Sequence, residues 1–154
     1  MPQVERSIEI AAPPTTVFGF IANQPERQPE WWTAFDQQER VTPAPTTLGS
    51  VSRYVYNMLG IKIKGEHEVK AIAENEHLLV TTTSGIESTF EFTFRPSGEH
   101  THLTVRVDYT LPGSVLGQLL NRLTIEQRNE RDLETALNNL KSILENTPNT
   151  GNTA

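Results

Sequence analysis

The chain contains no cysteine, which excludes disulfides and thiolate chemistry and leaves the redox compartment unread. It contains no apolar run long enough to span a bilayer, and its first residues, MPQVERSIEI, carry charge where a signal peptide would be apolar. A cytoplasmic protein without integral membrane association is therefore expected. Basic residues are in deficit: 13 Lys and Arg face 19 Asp and Glu, a net charge of -6. That balance works against phosphate backbones and anionic lipid surfaces, so nucleic acid is not expected as a partner. HExxH, GxSxG, a Gly-rich phosphate loop and a dinucleotide fingerprint are all missing. The four histidines, His67, His77, His100 and His102, lack metal-ligand spacing, so neither a metal nor a cofactor is expected.

What is present is length for one domain with one core, 154 residues without internal repeats. The domain is expected over residues 1–146, with the polar, leucine-free 147–154 as a disordered tail. The longest helical pattern runs from Ser114 to Glu145. Leu116, Leu119, Leu120, Leu123, Leu133, Leu137, Leu140 and Leu144 recur there at steps of three and four, the mark of an amphipathic helix. Ser114 offers an N-cap, and Asn146 with Pro148 a stop. Between Leu123 and Leu133 the helical step lands on Glu126 and Glu130, which would put two carboxylates on the core side. Alternatively, the helix emerges there and both are solvated.

Strand periodicity fills most of the rest. Val4 to Ile10 alternates, and Pro13 and Pro14 then open a short helix with Val17, Phe18, Phe20 and Ile21 on its apolar face. A second short helix fits before Trp31 and Trp32. From Phe35 the period stays at two for about 75 residues, interrupted by turn signals, which predicts an antiparallel meander of six strands. The clearest is Ile61 to Ala73. There Lys62, Lys64, Glu66, Glu68 and Lys70 point to solvent, while Ile61, Ile63, Gly65, His67, Val69 and Ala71 point inward. The expectation is an α+β chain in which a curved seven-stranded antiparallel sheet wraps the long C-terminal helix. Two short helices follow the first strand, and a hollow remains beside the helix.

This order of elements, carried by SIEIAAPPTTVFGFIAN, PEWW, LPGSVLGQLLNRL and LNNLKSILE, resembles the START-like or SRPBCC superfamily with its helix-grip fold, and within it the polyketide cyclase/dehydrase branch. The resemblance implies the fold. It also implies a range of activities that includes lipid and sterol carriage, aromatic ring cyclisation and quinone binding.

Several residues could serve an internal site. His67 shares its face with Ile63 and Val69, and could meet Glu126 or Glu130 as an acid/base pair or as a polar anchor; the plainer reading is a satisfied core histidine. Tyr54, Tyr56 and Met58 share one face of their strand, and in the opposite register Arg53 and Asn57 would point inward instead. Trp31, Leu116, Leu120, Leu123 and Glu126 complete the expected ligand-binding set, while Phe90, Phe92 and Phe94 read as core. The leading expectation is carriage or sequestration of a small hydrophobic molecule such as a lipid, quinone or aromatic polyketide. The alternatives are a cofactor-independent cyclase or dehydratase using His67, Glu126 or Glu130, and a protein-interaction module.

Overall fold

The computed structural model describes residues 3–110 and 122–146, with Arg122 and Leu123 as backbone only. Seven strands, β1 (Gln3–Ile10), β2 (Phe35–Arg40), β3 (Val51–Met58), β4 (Ile61–Ala73), β5 (His77–Ser84), β6 (Glu87–Ser97) and β7 (His100–Thr110), form one antiparallel sheet in the order β1-β7-β6-β5-β4-β3-β2. Between β1 and β2 lie α1 (Pro14–Asn23), a 3-10 turn (Pro25–Arg27) and α2 (Gln28–Trp31). The C-terminal helix α3 covers Arg122–Asn146. The sheet curls around α3, as the helix-grip expectation requires. No helix among the described residues is long and apolar enough to cross a membrane.

The period-two pattern becomes a sheet because each strand buries one parity. In β6 and β7 the inward set is Phe90, Phe92, Phe94, Leu103, Val105, Val107 and Tyr109. Helix α1 starts with Pro14 in its first turn, where a missing N–H costs nothing, and buries Val17, Phe18, Phe20 and Ile21. Phe18 meets Phe94 edge to face, centroids 5.2 Å apart, which ties α1 to the sheet.

Two irregularities re-aim side chains. In β2 the register shifts between Phe35 and Gln37, so Phe35 and Gln38, three apart, both face inward. In β4 a shift between Val69 and Ala71 hands the inner position from Ala71, where simple alternation puts it, to Ile72 opposite the buried Leu78. The expected helix start at Ser114, with Leu116, Leu119 and Leu120, lies outside the described residues, as do the Leu123 side chain and 147–154.

Over its described length α3 corrects the expected gap. The buried stripe runs Ile125, Leu133, Ala136, Leu137 and Leu140, with half-buried Asn129 between Ile125 and Leu133. Stepping by four from Ile125 reaches Asn129 and then Leu133, so the inner face is continuous. Glu126 and Glu130 sit one position away from it. Glu130 is exposed and faces Arg6 of β1 at 3.8 Å, and Arg6 also binds Glu134 at 2.9 Å.

Candidate functional site

Inside the curl, two recesses share His67 and Phe90 as a partition. The first, about 60 Å³, lies between the α1 end, including Ile21 and Ala22, and the inner face around Val69, Leu78 and Phe92; Gln38, Ser52 and Arg40 supply its polar side. The second, about 40 Å³, is bounded by Trp32, Phe35, Tyr54, Tyr56, Met58 and Tyr109, with Asn129 of α3 at one side. Each exceeds the ~10–15 Å³ that one water requires, and each is well below the ~300 Å³ at which sites for drug-sized ligands begin. A shallower depression of about 600 Å³ lies elsewhere, on the outside around Pro14, Thr15, Glu76 and Arg95.

His67 is held from several directions. Its ring lies on that of Tyr54, and Phe90 and Phe35 meet it edgewise at 5.3 and 5.9 Å between centroids. The Gln38 amide nitrogen donates to Ser52 Oγ at 2.7 Å and to His67 Nδ1 at 3.3 Å. With Nδ1 accepting, the proton resides on Nε2. That atom is buried and has no hydrogen-bond partner among the described residues. Burial pushes the His67 pKa down to about 3, so the ring is neutral at physiological pH.

Two more buried polar atoms are unpartnered among the described residues, Trp32 Nε1 and Gln38 Oε1. All three belong to side chains lining the recesses. Buried polar groups are ordinarily satisfied, so three unpaired ones on side chains that line the two recesses are exceptions to that rule.

The tyrosines divide their roles. Tyr54 OH donates to Ser84 O and accepts from Ile86 N, both at 3.0 Å, so its hydroxyl is occupied by the β5–β6 turn. Tyr56 OH donates to Asn129 Oδ1 at 3.2 Å, and Tyr109 also bonds the Asn129 side chain. Burial raises the pKa of both Tyr56 and Tyr109, so both hydroxyls remain protonated and neutral. The register left open for β3 is the one with Tyr54 and Met58 buried and Arg53 exposed.

His67 bonds neither Glu126 nor Glu130, because those carboxylates lie off the inner face of α3, and Glu126 lines neither recess. Trp31 also lines neither recess. It is the last residue of α2, is buried, and its carbonyl accepts from Asn139 Nδ2 of α3 at 3.1 Å. Trp32, where the chain leaves the helical conformation, turns its indole into the second recess instead. Leu116, Leu120 and the Leu123 side chain are outside the described residues. Gln38 and Asn129 were missed. Strict alternation from Phe35 points Gln37 inward, and a leucine-only reading of the helix passes over Asn129; the step of four between Ile125 and Leu133 was the available signal. Among the described residues no group of three or more His, Asp or Glu is placed to hold a metal ion.

Solved structures share this architecture. TTHA0849 from Thermus thermophilus superposes with a TM-score of 0.77 at 23% identity, over 93% of this chain and 97% of that one. The Zhui aromatase/cyclase from Streptomyces sp. R1128 gives 0.75 at 17% identity, over 93% of each chain. A START superfamily protein from Mycobacterium smegmatis gives 0.62 at 17% identity, over 88% of this chain and 97% of that one. At such identities the likeness is one of fold. No curated protein sequence matches. The family model described as polyketide cyclase / dehydrase and lipid transport matches residues 1–145, and with the curled sheet gripping its terminal helix the chain belongs to that family.

Proposed function

We propose that the protein binds a small hydrophobic molecule between the curled sheet and α3, for carriage or sequestration. The observation that carries this reading is the pair of recesses, apolar and aromatic over most of their walls, that share His67, whose buried Nε2 has no partner among the described residues. Burial of apolar ligand surface at about 25 cal/mol per Å² supplies the affinity, and the few polar atoms set orientation. An occupant larger than either recess requires the His67–Phe90 partition to move, which would join the two.

The cyclase or dehydratase reading keeps His67 as its acid/base group. A base of pKa about 3 is poorly matched to proton abstraction near neutrality, where the most effective catalytic pKa lies close to the working pH. The same neutral ring suits a binding role, since its N–H donates without carrying charge. Titration of tryptophan fluorescence with a panel of lipids, quinones and aromatic polyketides tests the proposal. Saturable quenching by one class supports it, and no response across the panel, with no small molecule found by mass spectrometry of the purified protein, counts against it.

A further inference from the structure

The second recess has a defined hydrogen-bond polarity. Indole Nε1–H can only donate, and Trp32 Nε1 is buried without a partner among the described residues. His67 Nε2 is in the same condition, and it carries the ring proton in the tautomer in which Nδ1 accepts from the Gln38 amide N–H. Both rings border the same pair of phenyls: Trp32 lies 5.6 Å from Phe35 and 5.6 Å from Phe90, and His67 lies 5.9 and 5.3 Å from them. Both side chains line the second recess, and neither nitrogen has a partner in the described part of the protein.

The remaining polar groups there each have at least one partner among the described residues. Tyr54 OH is tied to Ser84 and Ile86, and Tyr56 and Tyr109 are bonded to Asn129. Ser88 Oγ donates to Ile86 O at 3.4 Å. No charged side chain lines this recess among the described residues. A carboxylate would lose its hydration with no cation to meet it, and an ammonium would face two N–H groups.

We infer that the ligand is a neutral carbonyl compound whose oxygen accepts hydrogen bonds from Trp32 Nε1–H and His67 Nε2–H in the second recess. A carbonyl oxygen has two in-plane lone pairs and so accommodates two donors, and an aryl ketone or a quinone places an apolar ring among Phe35, Phe90 and Met58. The inference rests on the cavity-binding reading and narrows it to a chemical class. His67 is a donor here because Gln38 sets its tautomer, which makes Gln38 a positioning residue.

The test is a set of ligands of nearly one shape: acetophenone, 1-phenylethanol, ethylbenzene, benzoate and 1-phenylethylammonium, titrated calorimetrically into the full-length protein. Acetophenone is expected to bind about tenfold more tightly than ethylbenzene, the result of two net-favourable hydrogen bonds, with both ions weakest. The infrared carbonyl stretch of bound acetophenone should lie below its position in hexane. In Trp32→Phe and in His67→Phe the stretch should move back toward hexane, and the ketone-to-hydrocarbon affinity ratio should fall toward one. Equal binding of ketone and hydrocarbon, with an unshifted stretch, overturns the inference while leaving the cavity reading intact. Tighter binding of 1-phenylethanol than of acetophenone means that Nε2 accepts, and also overturns it. If no member binds, the cavity reading fails and the inference with it.

Discussion

The ring of His67 lies flat on the ring of Tyr54, with centroids 4.4 Å apart and planes 18° apart. This stacking is possible because Tyr54 pairs across the β3–β4 ladder with Gly65. A Cβ at Gly65 would stand 2.6 Å from Tyr54 Oη and 2.2 Å from Ser84 O. The empty side-chain position lets the tyrosine ring settle over the strand and reach the β5–β6 turn. Gly65, Tyr54 and His67 thus form one unit, in which a missing side chain on β4 fixes the ring that fixes the histidine.

Gly65→Ala is accordingly expected to destabilise the fold by about 1–3 kcal/mol, the usual cost of forcing extra volume into a packed region. Urea unfolding followed by circular dichroism measures it. A variant as stable as the parent would mean that Tyr54 does not sit over Gly65.

Stability should also depend on pH through His67. Its folded pKa, about 3, lies below the ordinary value of 6.5, so the unfolded chain binds a proton in this range and the folded chain does not. This group's contribution is complete above about pH 6.5 and is lost as the pH falls toward 3, with a slope of up to about 1.4 kcal/mol per pH unit. Urea denaturation at successive pH values should show that slope in the parent and a shallower one in His67→Phe. Identical slopes would place the histidine in water.

Most of the fold was legible because long alternating strands and a leucine-rich helix have unambiguous periods. The site was harder to read, for local reasons. Gln38 faces inward because of a register shift in β2 that no composition rule marks. Trp32 rather than Trp31 enters the recess because the chain leaves the helical conformation between them. Phasing the helix on its leucines left Glu126 and Glu130 open between an inward and a solvated placement, whereas Ile125 and Asn129 carry the true phase.

That phase makes opposite forecasts for two neighbours on α3. Glu130→Gln weakens an exposed contact with Arg6, and should change stability by less than about 1 kcal/mol and leave ligand affinity unaltered. Asn129→Leu removes the acceptor of the Tyr56 hydroxyl and the side-chain partner of Tyr109, and should cost about 1–3 kcal/mol by leaving those hydrogen bonds unmade. Thermal or urea denaturation of both variants, with ligand titration of the first, checks the pair. A larger loss for Glu130→Gln would restore the carboxylates to the inner face.

The adjacent tryptophans offer the most direct test of a ligand in the hollow, because Trp32 borders the second recess and Trp31 lines neither recess. In a proton–nitrogen correlation spectrum each gives one indole signal, assigned with Trp32→Phe. Titration with acetophenone or a quinone should move the Trp32 signal saturably while that of Trp31 stays in place. A stationary Trp32 signal at ligand saturation, or equal movement of both, would contradict binding between the sheet and the helix.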